Sequence, residues 1–393
     1  MSAAVQGSAG ETATPVEGFA IATRDGLVFT VKGHVHPPGR TVAYLRYFAD
    51  PDGDRVCAGR RYRKVRTFAE QAEALAPWRE TYLWRDPCAG TVLQSVPGEA
   101  VARVEDPRDR LAAIAACGPA DALEEAALRL AGLLATAAGV APRALGVTGS
   151  LLVGLHASSS DLDLVVYGGA ACRAAYEALG RLLDEGADGL RRPDDGDLAR
   201  IHAAHRLETP LEAVDFRRLQ RVKVNEGRFG ERPFFVRFVR LPAEVGERYG
   251  DVRYTPLERV TVEGRVCDVS EAIFTPCRYA VEHVKVVSGT APAPAARAAA
   301  TGSGAAAGAA AEPVVAGAVA ASAAAPAADL REIVSFRGRF ADQARAGETV
   351  RARGTLEEVR ARGTLEDAAP RRGAAYRRLV VGAAGDYLVS LPT

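Results

Sequence analysis

Lysine is nearly absent from this chain of 393 residues: Lys32, Lys64, Lys223 and Lys285 are the only four, and 46 of its 50 basic residues are arginine. With so much alanine beside it, that bias reads as coding composition and carries no functional weight. Excess charge is missing too. Fifty basic against 49 acidic residues leave +1, which excludes a whole-chain polycation and requires any nucleic-acid surface to be local. No apolar run reaches the roughly 18 residues of a membrane helix, so no membrane partner is expected. Met1–Pro15 is small and polar, without a basic start and an apolar core, and does not read as a signal peptide. The six cysteines (Cys57, Cys88, Cys117, Cys172, Cys267, Cys277) include no C-x-x-C pair. A zinc ribbon or redox pair is therefore not indicated, and a cytoplasmic protein with reduced thiols is expected.

What is present suits a globular protein. The chain is 48% hydrophobic and 25% charged, and its length suggests two or three domains. Residues 1–16 read as a disordered tail. From 17 to 103 the pattern is β-rich: Phe19–Thr23 and Leu27–Val31 flank the hairpin signal Asp25-Gly26. Thr41–Tyr47 makes a third strand, and Phe68–Trp78 a short helix. From 104 to 255 helices and strands alternate. Pro107–Ala116, Ala120–Ala137, Ala170–Glu185 and Pro210–Val222 carry helical spacing, Ala144–Thr148 and Leu162–Tyr167 read as strands, and Arg228–Leu241 as a hairpin. From 256 to 393 the chain is β-rich again and is expected to form a small domain. Between Gly289 and Ala328, 22 of 40 residues are alanine, broken by Pro and Gly. That stretch reads as a flexible insertion splitting the small domain. Arg351–Glu357 recurs as Arg360–Glu366 at a period of nine, too short for a solenoid and consistent with a local duplication lengthening one hairpin.

The stretch that carries chemistry runs from Gly146 to Gly168. A strand ends at Gly149-Ser150, where glycine allows close backbone approach and free N–H groups with the Ser150 hydroxyl suit a phosphate. After ten intervening residues Asp161-Leu162-Asp163 heads an apolar strand. Residues i and i+2 of a strand share a face, about 6.6 Å apart. Two such carboxylates can share divalent cations, and Mg²⁺ or Mn²⁺ favours carboxylate and phosphate oxygens. A phosphate cradle beside a carboxylate pair is equipment for phosphoryl or nucleotidyl transfer. The alternative is a solvated turn capped by Ser158–Ser160.

Gly-Ser, ten residues, then Asp-x-Asp and an apolar strand resembles the signature of the DNA polymerase β-type nucleotidyltransferase superfamily. His34-Val35-His36-Pro37-Pro38 with Tyr44–Tyr47, and Asp268–Pro276, look similar to an uncharacterised prokaryotic, mainly archaeal, group of predicted nucleotidyltransferases. The resemblance implies an α+β architecture with a nucleotidyltransferase-like α/β core between a β-rich N-terminal module and a small C-terminal β-domain. It implies that Gly149 and Ser150 bind the nucleotide's phosphates and that Asp161 and Asp163 are the catalytic metal ligands. It implies an NTP substrate and Mg²⁺ or Mn²⁺, with the acceptor open between RNA, protein and a small molecule. The superfamily usually adds a third carboxylate from a later strand. Phe234–Val239 has none, which leaves Asp215 as the best substitute and Glu231 as a weaker one. The alternative function is a nucleotide- or nucleic-acid-binding protein on a catalytically defective transferase core.

His34 and His36 share a face but lack a third zinc ligand nearby, so a structural role is expected. His202 and His205 read as one helix face, and His156 lies in the motif loop. Basic residues cluster in Arg60–Arg66, in Arg217–Arg240 (eight basic, two acidic) and in Arg331–Thr393 (twelve Arg, eight acidic). Such stripes with aromatics suit single-stranded nucleic acid, and a small C-terminal β-barrel would be a suitable carrier.

Overall fold

The computed structural model describes residues 14–290, 329–361 and 375–392. Its class is α+β. The expected tail lies outside the described residues only to position 13. Val16 is already buried in the core and Glu17 is fully buried, so the N-terminal module begins before the expected boundary of 17.

That module contains β1 (Ala20–Thr23), β2 (Leu27–Val31), β3 (Arg40–Ala49), β4 (Arg55–Cys57), β5 (Arg60–Lys64), α1 (Phe68–Leu75), α2 (Arg79–Tyr82), β6 (Leu83–Asp86), β7 (Thr91–Pro97) and β8 (Val101–Glu105). Its sheet runs β4-β5-β3-β2-β1-β8, with β7 joining β3 to β6. The register that places Tyr47 opposite Lys64 holds both over the edge of the next unit.

The central unit is built from α3 (Pro107–Cys117), α4 (Ala122–Ala138), β9 (Leu145–Val147), α5 (Gly149–Leu152), β10 (Leu162–Tyr167), α6 (Gly169–Glu185), β11 (Leu190–Arg191), α7 (Asp195–His205), α8 (Ala213–Val222), β12 (Glu226–Phe229) and β13 (Arg232–Val239). Asp106 caps α3, Asp121 caps α4, and Gly139 in the left-handed region ends α4. The sheet order is β11-β12-β13-β10-β9, with β10 and β13 parallel. Alternation assigns its two faces. Leu162, Leu164 and Val166 pack with Phe234, Val236 and Phe238 against α3, α4 and α6. Val165, Tyr167 and Val239 face the other way, into the core of the N-terminal module. Asp163 lies on that second face, one step before Val165.

The last unit comprises β14 (Val252–Asp268), β15 (Cys277–Thr290), β16 (Leu330–Ser335), β17 (Thr349–Ala361), β18 (Tyr376–Val380) and β19 (Tyr387–Ser390). The order β14-β15-β16-β18-β17 returns to β14, so five strands close into a barrel, with β16 and β18 parallel and β19 added outside β17. The barrel core includes Val262, Tyr279, Ile333, Ala352 and Leu379. Of the alanine-rich insertion, residues 291–328 lie outside the described residues, as does the second repeat copy after Ala361.

The three units are tied together by buried polar contacts. Asp342 of the barrel accepts from the Val224 N–H and the Tyr176 hydroxyl, each at 2.8 Å. Lys223, fully buried, donates to the Arg339 carbonyl at 2.7 Å and to Glu226 at 3.0 Å. Glu208 accepts from the Phe68 N–H at 3.0 Å and pairs with Arg337 at 2.6 Å. Among the described residues no helix is long and apolar enough to cross a membrane.

Candidate functional site

A cleft of about 1490 Å³ opens between the three units. Thr148, Gly149 and Asp163 line it from the central sheet, Lys32, Arg46 and Arg66 from the N-terminal module, and Arg278, Arg331 and Tyr376 from the barrel.

The glycine turn and the carboxylate are built as one piece. The Thr148 N–H donates to the Asp163 carbonyl at 2.8 Å, continuing the β9–β10 ladder into the turn. The Thr148 hydroxyl donates to the Gly18 carbonyl at 2.9 Å, fastening the turn to the N-terminal module. Gly149 sits at φ +65°, and a Cβ there would collide with the Asp163 carboxylate. Glycine is thus required twice at this position, by backbone conformation and by space. Among the described residues no hydrogen bond occupies the N–H groups of Gly149 and Ser150. Helix α5 is a single turn, so its macrodipole is small and those N–H groups are what the turn offers an anion.

Asp163 is half-buried and Asp161 exposed. Among the described residues neither carboxylate has a hydrogen bond or an ion pair. Burial, followed by the Asp161 charge, pushes the Asp163 carboxyl from an ordinary 3.8 up to about 6, against the pull of Lys64, Arg237 and Arg46. Burial also raises Asp161, opposed by Lys64 and Arg228. Lys64 is lowered, first by burial and then by Arg46. A half-buried carboxylate on β10 and an exposed one just before the strand, repelling each other and lacking any cation in contact among the described residues, form a donor set that fits Mg²⁺ or Mn²⁺. Such ions accept one or two carboxylates and fill the rest of the shell with water and phosphate oxygens.

Ser150 departs from its expected role. It is buried, its hydroxyl meets the Tyr47 phenol, and it lies behind the cleft lining. It supports the turn from below and leaves the cleft surface to Gly149.

The third carboxylate is not supplied by the neighbouring strand. Asp163 stands opposite Phe235, and Val165 opposite Arg237. Asp215 is on α8, paired with Arg218 at 2.8 Å beside Ser390, and is not brought to the pair. Glu231 is exposed at the β12–β13 turn and reaches Arg228 at 3.4 Å. Among the described residues no group of three metal-ligating side chains forms.

Arg237, two residues beyond the strand partner of Asp163, points to Glu17. Glu17 accepts from Arg237 at 2.8 Å, from Lys32 at 3.0 Å and from the Gly33 N–H at 2.8 Å. Burial raises its carboxyl, but Lys32 and Arg237 outweigh burial and hold it below the ordinary value. No sequence signal singles out Glu17 or Arg237 for this pairing. Lys64 and Arg46 do stand in stretches with a signal, the basic cluster Arg60–Arg66 and the segment Tyr44–Tyr47.

Five of the six histidines make contacts within the fold, as expected for His34 and His36. His34 meets the Arg240 carbonyl at 2.9 Å and His36 the Pro15 carbonyl at 2.8 Å. His156 pairs with Asp121 at 2.7 Å. His202 reaches the Leu211 carbonyl at 2.8 Å and packs on Phe216. His205, also against Phe216, is pushed down to about 4 by burial and by Arg339. The Arg217–Arg240 cluster is paired internally: Arg221 with Asp195, Lys223 with Glu226, Arg228 with Asp197 and Arg240 with Glu271.

Comparison with known proteins finds a relative of similar length. The chain is 29% identical over 372 residues to the uncharacterised protein MJ1086 of Methanocaldococcus jannaschii, covering 92% of this chain and 94% of that one. No protein-family model matches the chain, and no solved structure matches it.

Proposed function

We propose that this protein is a metal-dependent nucleotidyltransferase, moving a nucleoside monophosphate from an NTP to a hydroxyl acceptor with release of pyrophosphate. The observation that carries the reading is the joint construction of the Gly149 turn and the unpartnered Asp161/Asp163 pair. A site for phosphate and a site for its counter-cation lie against each other in an open cleft. Gly149 presents its N–H group to the triphosphate, and Ser150 holds the turn from behind. Asp161 and Asp163 hold Mg²⁺ or Mn²⁺, which when bound neutralises phosphate charge and polarises the reacting phosphoryl group. Lys64 and Arg46 stand near the pair without contacting it and add positive potential where the leaving pyrophosphate develops charge. The acceptor enters along the cleft.

Incubation with each α-³²P-labelled NTP, Mg²⁺ or Mn²⁺, and total cell RNA or protein tests the reading. Metal-dependent transfer that disappears in Asp163→Asn supports it. Absence of transfer with every nucleotide and both metals overturns it. A second reading has one observation in its favour. Phe235 and Arg237 occupy the strand positions beside Asp163 where a third acid is usual, which suits a nucleotide- or nucleic-acid-binding protein on a defective transferase core. Nucleic-acid binding without metal and without transfer distinguishes it.

A further inference from the structure

Resting on the transferase reading, we propose that the acceptor is the 3′ end of a single-stranded polynucleotide, laid along the barrel face that looks into the cleft. Three observations combine. The first is size. A cleft of about 1490 Å³ exceeds the roughly 300–1,000 Å³ of small-molecule sites, leaving room for a polymer beside an NTP.

The second is topology. The order β14-β15-β16-β18-β17, closed on β14, makes a five-stranded Greek-key barrel. Barrels of this kind bind oligonucleotides across their second and third strands. Here those strands are β15 and β16, and their outward residues Arg278 and Arg331 line the same cleft as Gly149 and Asp163. The loop joining the first two strands, Val269–Pro276, lines it as well through Ser270 and Phe274.

The third is the distribution of charge among the arginines of that cleft. Arg237, Arg240, Arg337 and Arg378 are neutralised by Glu17, Glu271, Glu208 and Glu357. The guanidinium groups of Arg66, Arg278 and Arg331 have no ion pair or hydrogen bond among the described residues. Arg331 instead lies over the Tyr376 ring, 5.7 Å from its centroid. Unneutralised guanidinium groups, one of them stacked on a half-buried ring of the cleft lining, suit a phosphate backbone carrying unpaired bases. A folded protein acceptor offers neither regular charge nor free bases.

In the reaction the terminal 3′ oxygen bonds to the α-phosphorus, and the bond from that phosphorus to the bridging β-phosphate oxygen breaks. Pyrophosphate leaves with the electron pair, and the hydroxyl proton is lost to water. No oxidant or reductant is needed.

The test uses the full-length protein and fluorescein-labelled 20-mers of RNA and of DNA, with binding followed by anisotropy without NTP or metal. The parent binds single strands, more weakly as salt rises. Arg278→Ala/Arg331→Ala binds about tenfold or more weakly, and its slope of log K against log salt falls by about 1.4, the change expected when two phosphates are no longer neutralised. Its Mn²⁺-dependent heat stabilisation by NTP is unchanged, which separates failure of the groove from failure of the transferase site. Labelled NMP then appears on oligonucleotides ending in a 3′ hydroxyl and not on those ending in a 3′ phosphate, and the RNA and DNA arms identify the sugar preferred. No binding by the parent, or equal binding by parent and double variant, overturns the proposal. Transfer onto protein with oligonucleotides untouched also overturns it and leaves the transferase reading standing.

Discussion

Arg237 pairs with Glu17 and adds its charge to the field at Asp163, and the protein treats these two acids in opposite ways. Glu17 is fully buried but receives Lys32, Arg237 and the Gly33 N–H, and its carboxyl is held below the ordinary value. Asp163 is less buried, has no partner, faces Asp161 and is pushed up to about 6. A carboxylate that serves the fold is surrounded by donors. One kept charged against burial and a like neighbour lowers stability until a cation arrives, which is the expectation for a ligand site.

The largest effect that would break the contrast is at Glu17. Glu17→Gln leaves Lys32 and Arg237 facing a neutral amide, and loss of one partner of a buried pair costs about 3–5 kcal/mol. Urea denaturation checks it, and a loss under about 1 kcal/mol would remove Glu17 from the structural side. Asp163→Asn is expected to do the reverse: the metal-free protein gains up to about 3 kcal/mol at pH 7, while Mn²⁺-dependent NTP binding is lost. The pH dependence follows from the shift. A native carboxyl raised from 3.8 to about 6 makes the parent lose stability as pH rises through that window. The variant's advantage is therefore absent below about pH 4, grows to about pH 6 and is constant above. Glu17, lowered from 4.5, contributes fully above that value and is lost as pH falls further. Parallel melts of parent and Asp163→Asn from about pH 4 to 8 read the window, and a flat difference would contradict it.

A smaller effect is expected at Gly149→Ala. The backbone conformation costs about 1–2 kcal/mol, and displacement of Asp163 should weaken Mn²⁺ binding well beyond that loss of stability. Calorimetry with Mn²⁺ beside the melt separates the two. The smallest belongs to Asp215→Asn. A half-exposed pair with Arg218 contributes under about 1 kcal/mol, and nucleotide binding should not change. If it falls as in Asp163→Asn, Asp215 reaches the site by a movement absent from this structure.

The features legible in the chain are the local ones. Asp25-Gly26 marks the β1–β2 hairpin because turn chemistry is set by adjacent residues. The helices α3, α4 and α6 follow their apolar spacing and caps. Gly149-Ser150 and Asp161-Leu162-Asp163 are near in sequence, and β9 and β10 are adjacent in the sheet. Features that depend on register and on distant partners emerge only in three dimensions. Phe235 stands beside Asp163 because β13 runs parallel to β10 with that offset. In sequence Arg237 is one charge in a basic stripe; in the fold it meets Glu17, 220 residues earlier. Spacing alone assigns Ser150 to the cleft, but the single turn of α5 directs its hydroxyl to Tyr47. Closure of the barrel rests on β14 meeting β17, which strand patterns do not encode.

The span between Glu17 and Arg237 also sets an order in time. A growing chain exposes Glu17 and Lys32 early, while Arg237 is made 220 residues after the acid it neutralises. Until β13 has been synthesised and has paired with β10, Glu17 lacks its second cation and the cleft lacks Arg237 and Arg240 from its lining. Contacts closed over so long a stretch are slow to form. The site therefore matures late, after the central sheet is in place, and a nascent chain ending before Arg237 carries the whole Gly149–Asp163 motif without the finished cleft that would use it.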